Sequence, residues 1–409
     1  MNIVLEPGAA ALLDELHRAG FGAYAVGGCV RDSLLGLAPH DWDLCTAARP
    51  GQVMELFGED RCIPTGLQHG TVTVKRDGKL YEVTTFRTEG RYSDGRHPDS
   101  VAFVPDLRED LARRDFTINA MAYSAEEGLC DPFGGREDLA RGVVRAVGEP
   151  LRRFGEDALR ILRLYRFAAR FGFAIDEATE AAAKQLASHL DCVSAERIEE
   201  ELNKLLAAPQ PGAYLEPEVL AFVLPELPPE ELTKARRRID ALPAGTEQVS
   251  ARWAALLLPL GETGARKALK RLKCSNARID GAAALVRECG EKTPDTLDKC
   301  DLRLQAKRLL GKYDLHTVQQ LTALWTALAP EEKASFDALR AEAEALTAQG
   351  TCCRISQLAV SGRDLMAAGA APGPGLRRVL EALLEEVITG RLPNEKTELL
   401  AFAAGFSAS

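Results

Sequence analysis

Apolar residues Ala23-Tyr24-Ala25-Val26 run directly into Gly27-Gly28, and a short helical pattern from Cys29 to Leu35 follows. An apolar run that ends on paired glycines predicts a strand, a tight turn and a helix, in that order. The alternation Asp41-Trp42-Asp43-Leu44 predicts a second strand. Side chains alternate across a strand, so Asp41 and Asp43 share one face while Trp42 and Leu44 share the other. Residues 71–75 and 79–85 alternate in the same way, and Arg76-Asp77-Gly78 between them predicts a hairpin turn. Residues 87–99 are polar, glycine-containing and aperiodic, the pattern of a mobile loop. From about Leu151 onward no strand pair is predicted. Helical patterns succeed one another instead, with Pro/Gly breaks near 208–212, 225–229, 243–245 and 372–375. The expected architecture is therefore an α+β head followed by an all-helical remainder.

The strand-face carboxylates introduce the first chemistry. Two like charges on one face repel unless something positive sits between them. Mg²⁺ suits that position, because it typically binds one or two carboxylates together with phosphate oxygens. Gly27-Gly28 adds bare backbone N–H groups at a helix start, where anions bind. Together they point to a nucleoside-triphosphate site that works with metal ions. A dinucleotide-binding unit would need G-x-G-x-x-G after the strand, and Gly27-Gly28 lacks that spacing.

Composition narrows the class. A chain of 409 residues is long enough for several domains and a sizeable core, and its 46% hydrophobic and 27% charged content is ordinary for a soluble protein. The longest apolar run, near Trp253, is about half the span that a membrane helix needs. The N-terminus lacks the basic start and apolar stretch of a signal peptide. The ten cysteines show no C-x-x-C spacing, and the six histidines do not stand near a cysteine pair, which argues against zinc and for the reducing cytoplasm. A net charge of −9 argues against a chain coated in nucleic acid. Local patches decide docking of a phosphate backbone, however. Seven arginines face three acids between Arg145 and Arg170, and further basic clusters lie at Lys234, Arg236, Arg237 and Arg238 and at Arg266, Lys267, Lys270, Arg271 and Lys273. Solvated helix faces are the alternative reading of these clusters.

Gly27-Gly28-Cys29-Val30-Arg31-Asp32 with Asp41-Trp42-Asp43 resembles the active-site signature of class II tRNA nucleotidyltransferases and bacterial poly(A) polymerases, both polymerase-β-like nucleotidyltransferases. Four further blocks match that family in order: Arg113-Arg114-Asp115-Phe116-Thr117-Ile118-Asn119-Ala120, Asp131-Pro132-Phe133-Gly134-Gly135, Glu156-Asp157-Ala158-Leu159-Arg160 and Ser194-Ala195-Glu196-Arg197-Ile198. The resemblance implies a polymerase-β-like nucleotidyltransferase head at residues 1–145. It also implies an all-helical neck that reads the base at 146–207, a helical body at 208–330 and a helical tail that holds tRNA at 331–409. The implied reaction adds C, C and A to the tRNA 3′ end from CTP and ATP, with Mg²⁺ and no nucleic-acid template. An A-adding enzyme, a bacterial poly(A) polymerase and an inactive RNA-binding protein are the rivals. The polymerases usually carry a basic-aromatic block where this chain has Thr65-Gly66-Leu67-Gln68-His69-Gly70-Thr71, and enzymes adding only C lack part of the segment that is intact here from Phe86 to Pro98.

Site roles follow from the same resemblance. Asp41 and Asp43 would hold two Mg²⁺ ions, and Glu82 is the candidate for a third carboxylate, with an exposed strand residue as the alternative. Gly28 and Arg31 match positions that contact the triphosphate, although Arg31 could instead pair with Asp32. Arg114 and Asp115 match the pair that recognises the ribose, with a plain salt bridge as the alternative. Adenine and cytosine each offer an amino donor beside a ring-nitrogen acceptor, whereas guanine and uracil offer the reverse. Asp157, which only accepts, and Arg160, which only donates, complement A and C. Their spacing predicts neighbours on one helix, where an intrahelical ion pair is the rival role. Arg163 and Arg166 also match nucleotide-contacting positions. Steps of three drift by about 60° on a helix, so Arg166 is expected well round from Asp157, with a structural ion pair as its alternative.

Overall fold

The computed structural model describes residues 3–90, 101–291 and 301–406. The chain divides into two compact units, Met1–Pro229 with Arg271–Lys273 and Glu230–Lys270 with Cys274–Ser409. The first unit opens with helix α1 (Pro7–Arg18), strand β1 (Ala23–Val26), helix α2 (Gly28–Leu34) and strand β2 (Leu44–Thr46). Helix α3 (Pro50–Phe57) leads into β3 (Cys62–Gly66), β4 (Thr71–Arg76) and β5 (Lys79–Thr85). A hairpin of β6 (Arg87–Glu89) and β7 (Val101–Phe103), helix α4 (Leu107–Ala112), strands β8 (Ala122–Ser124) and β9 (Gly128–Cys130) and helix α5 (Gly135–Arg141) complete the α/β part.

Seven strands form one sheet in the order β3-β4-β5-β2-β1-β8-β9, in which only β2 and β5 run parallel. Asp77 and Gly78 both adopt positive φ, at 49° and 76°, which is the backbone twist that a two-residue turn between Arg76 and Lys79 demands. Tyr24, Val26, Cys45 and Phe86 pack with Leu107, Leu111 and Ala120 on one side of the central strands. Strand β2 begins at Leu44, so Asp41 and Asp43 stand in the extended segment that feeds it rather than inside it. The pairing nonetheless reaches back one residue, since the Val26 N–H donates to the Asp43 carbonyl.

The Glu6 carboxylate helps fasten helix α1 to the sheet. Glu6 accepts from the N–H groups of Gly8 and Ala9 at 3.0 and 3.1 Å, from Lys79 at 3.0 Å and from the Tyr81 hydroxyl. A Cβ on Gly8 would lie 2.2 Å from the Tyr81 hydroxyl oxygen, so the helix approaches this closely only with glycine there. Burial alone would raise the Glu6 pKa, but Tyr81, Lys79 and the Ala9 N–H outweigh it and bring the value from 4.5 down to about 2. A carboxylate depressed in the fold stabilises it above the unfolded pKa and loses that contribution as pH falls. Glu6→Gln is therefore expected to destabilise the first unit at neutral pH by roughly 1.5 to 3 kcal/mol, the worth of a charged hydrogen bond. The gap from the parent protein should close as pH falls from 4.5 towards 2. Urea unfolding across that range measures it; a gap independent of pH would show that the charge contributes nothing.

Beyond the sheet, β10 (Val143–Val144), α6 (Pro150–Glu156), α7 (Leu159–Phe171), β11 (Ala174–Ile175), α8 (Glu177–Gln185) and α9 (Ala195–Leu206) follow. Strand β11 pairs in parallel with β10, a correction to the expectation of no strand pairing after Leu151; a two-residue strand is too short for alternation to reveal. The aperiodic segment is bracketed by the β6–β7 pairing, which joins Arg87 to Phe103 and Glu89 to Val101. Its residues 91–100 lie outside the described residues. The second unit is helical, with Trp253 fully buried in the helix Val249–Leu257 and a separate cluster around Leu358, Leu365, Leu383 and Leu399. No described helix is long and apolar enough to cross a membrane.

Candidate active site

The turn after β1 is held open by geometry that requires glycine. Gly27 has φ 78°, and a Cβ there would meet the Arg114 guanidinium at 2.8 Å. Beside this turn, Asp41 and Asp43 are exposed while Trp42 and Leu44 are buried, the alternation expected of extended backbone. Leu44 pairs with Val83 in the parallel register, which sets Asp43 and Glu82 at the same level of neighbouring strands. The Asp43 pKa is raised, first by desolvation and then by the charges of Glu82 and Asp41, with Arg114 opposing them. Although Asp43 reaches solvent, protein crowds it on its other sides.

The tripeptide Arg113-Arg114-Asp115 leaves the end of α4 and reaches in three directions. Arg113 donates to the fully buried Asp110 at 2.8 and 3.0 Å. Arg114 lies 3.5 Å from Asp110 and faces Gly27, and its buried Nε makes no hydrogen bond. Asp115 is buried and its acceptor sites are filled. One oxygen accepts from the Phe116 N–H and the Asn119 amide at 2.8 and 3.0 Å, and the other accepts from Arg163 at 2.7 and 2.8 Å. Burial would raise its pKa, but Arg163 and Asn119 hold it well below the usual carboxylate range.

Arg31 is 3% exposed and committed to protein partners. It donates to Asp32 at 2.8 Å and to the side-chain Oδ1 of Asn119, and its guanidinium lies 5.1 and 4.9 Å from the Phe167 and Phe171 rings. The pairing with Asp32 is thus present in this state. Gly28 lies beside it, since a Cβ there would meet the Arg31 guanidinium at 3.6 Å. Arg170 binds the other Asp32 oxygen at 3.1 Å, which ties α2 to α7.

Asp157 and Arg160 are not helix neighbours, which corrects the expected arrangement. Helix α6 ends at Glu156, Asp157 is extended at φ −144° and ψ 106°, and α7 begins at Leu159. Aspartate competes with helical backbone by bonding nearby N–H groups, and here its carboxylate accepts from the Leu159 N–H at 3.0 Å. Its ion partner is Arg197 of α9, at 2.9 Å, rather than Arg160. Arg160 pairs instead with Glu156 at 2.9 Å and donates to the carbonyls of Arg153 and Arg113 at 3.1 and 3.0 Å. Arg163 bridges to Asp115, as described, while Arg166 is buried against Glu201 of α9 and lies 3.9 Å from the Phe167 ring centroid. The ion pair held open as the alternative for Arg166 is the arrangement found.

Oxygen-only donors at Asp41 and Asp43, under mutual repulsion and beside Glu82, fit a hard divalent cation. Among the described residues no three His, Cys, Asp or Glu side chains converge into a closed metal cage. The protein would therefore offer two carboxylates and leave the remaining positions to substrate and water. Sequence reasoning passed over Asp110, Asn119, Glu156 and Glu201, and it gave Arg197 no role. Each lies inside or beside a quoted block, but spacing alone does not name partners such as Arg31 for Asn119, Arg160 for Glu156 and Arg166 for Glu201.

Three family models match the chain: Poly A polymerase head domain over residues 23–145, Probable RNA and SrmB-binding site of polymerase A over 172–228, and tRNA nucleotidyltransferase domain 2 over 245–403. The chain is 38% identical over 397 residues to the CCA-adding enzyme of Limosilactobacillus fermentum, covering 96% of this chain and 95% of the relative. It is 39% identical over 402 residues to the CCA-adding enzyme of Latilactobacillus sakei, covering 96% of each. Among solved structures, the Bacillus stearothermophilus CCA-adding enzyme in complex with CTP matches with a TM-score of 0.82 at 34% identity, over 99% of this chain and 98% of that one.

Proposed function

Because this chain belongs to the tRNA nucleotidyltransferase and poly(A) polymerase family and is a nucleotidyltransferase, we propose that it completes the full CCA sequence at the tRNA 3′ end from CTP and ATP. Relatedness to CCA-adding enzymes along almost the whole chain supports CCA-addition chemistry in general. The observation that carries the site assignment is the reach of Arg113-Arg114-Asp115. Arg113 supports Arg160 through its carbonyl, Arg114 sets its charge against Asp43, and Asp115 holds Arg163. One short segment thus connects the carboxylates assigned to the reaction with the side chains assigned to the nucleotide.

In this reading Asp41 and Asp43 hold Mg²⁺. When bound, the metal lowers the pKa of the primer 3′-hydroxyl and neutralises the departing pyrophosphate. The remaining work is orientation and charge placement, which dominate phosphoryl-type transfer. Arg114 places positive charge beside the Gly27 turn. Asp115 accepts from the ribose hydroxyls once Arg163 yields an acceptor site, and Gly28 lets the triphosphate approach the backbone. Asp157 and Arg160 present the acceptor and donors that A and C complement. Glu82 adds negative charge beside the pair.

The test is incorporation followed one nucleotide at a time on tRNA ending three, two and one nucleotides short of its 3′ end. Addition of C, C and then A, followed by arrest, is expected. Addition of A alone, or A repeated without arrest, would establish a rival. Retention of A addition is supported by the intact segment from Phe86 to Pro98. Deleting residues 91–100 leaves the flanking β6–β7 pairs in the chain, and it is expected to abolish A addition while sparing C addition. Completion of CCA at the parent rate by that variant would show the segment to be a tolerated insertion.

A further inference from the structure

The block Ser194-Ala195-Glu196-Arg197-Ile198 has so far received no function, although it supplies the strongest contact made by the base-reading carboxylate. We propose that Arg197 is a positioning residue for nucleotide selection: it fixes the direction in which Asp157 can accept a hydrogen bond. The proposal rests on the assignment of Asp157 to the base.

A carboxylate has about four acceptor sites. On Asp157, Oδ1 accepts from the Leu159 N–H at 3.0 Å and from Arg197 Nη1 at 3.4 Å, and Oδ2 accepts from Arg197 Nη2 at 2.9 Å. Three sites are occupied, and the one left is on Oδ2. A carboxylate only accepts, which separates the amino groups of A and C from the carbonyls of G and U. Asp157 sits in extended backbone between two helices, so the helix ladder does not fix its orientation. Arg197 comes from α9, 40 residues away in sequence, and is the side-chain partner that does. Arg160 is held separately, by Glu156 and two backbone carbonyls. The acceptor and the donor of the proposed template therefore have independent supports.

The test compares kcat/KM for CTP, ATP, UTP and GTP on one truncated tRNA, using Arg197→Gln, Arg197→Lys, Asp157→Ala and the double variant Asp157→Ala/Arg197→Gln. Arg197→Gln is expected to lower the CTP-over-UTP preference by about tenfold, because a mobile carboxylate no longer penalises the wrong base. Arg197→Lys, which keeps the charge without the fork, should fall between Gln and parent. The double variant should discriminate no worse than Asp157→Ala alone, the sign that Arg197 acts through Asp157. An unchanged preference in Arg197→Gln, with all four values reduced alike, would overturn the proposal while leaving the base assignment standing if Asp157→Ala still shifts the ratio. No shift in Asp157→Ala would overturn the base assignment, and the proposal with it. If Arg197→Gln does not fold, Arg197→Lys decides: parent-like preference overturns the proposal and a reduced one supports it.

Discussion

Asp41→Ala and Asp43→Ala are each expected to abolish incorporation of both CTP and ATP while leaving tRNA binding intact. If these carboxylates hold Mg²⁺ as proposed, losing one would remove several kcal/mol of charge stabilisation in the transition state, on the order of a thousandfold or more in kcat. The same substitutions should not destabilise the protein. Asp43 is exposed, attracted by Arg114 and repelled by Glu82 and Asp41, so removing its charge changes opposing terms that largely offset one another. Activity is then lost while stability holds, which a merely structural carboxylate would not show. The measurements are single-turnover incorporation at saturating Mg²⁺, tRNA affinity by filter binding and thermal unfolding. Near-parent turnover in either variant would remove that residue from the metal assignment. Glu82→Gln separates the third carboxylate in the same assay, since a residue that only tunes the local charge should cost far less than one that holds the metal.

What could be read from the sequence divides along the range of the interaction. The Asp77-Gly78 turn, strand β1 and the opposed faces of Asp41-Trp42-Asp43-Leu44 depend on neighbours in the chain, and pattern alone predicts them. The partners that organise the site are distant: Asp115 with Arg163, Asp157 with Arg197, Asp32 with Arg170 and Arg166 with Glu201. Composition shows an excess of arginine along residues 145–170, yet it cannot say which acid each one meets. Asp157 shows the limit within a single block. Spacing of three suggests a helix face, whereas the short acceptor of aspartate favours a bond to nearby backbone N–H, and that bond prevails. Arg31 shows it again, since an arginine beside a Gly-Gly turn suits a phosphate, while here it lies buried against Asp32, Asn119 and two aromatic rings.

Asp157→Ala and Arg160→Ala are expected to lose selection between nucleotides rather than only slow the enzyme, and the structure separates their secondary effects. A site built to hydrogen-bond a substrate group leaves its own polar atoms unpaired when the wrong base enters, and large discrimination arises there. Truncating Asp157 would remove the acceptor proposed for the amino group that A and C carry. It also leaves the Leu159 N–H at the start of α7 without its acceptor, a cost of about 0.5 to 1.5 kcal/mol in stability. It leaves Arg197 of α9 without its carboxylate. Truncating Arg160 would remove the donor proposed for the ring nitrogen, and it frees the carbonyls of Arg153 and Arg113. Arg113 adjoins Arg114 and Asp115, so this variant should also weaken ribose selection, which Asp157→Ala should not. In both, UTP and GTP should gain on CTP and ATP even as overall rates fall. The readout is kcat/KM for the four ribonucleotides and for dCTP on one tRNA primer. A uniform fall with unchanged ratios would reduce Asp157 to a tie between α7 and α9 and Arg160 to a strut between α7 and the head.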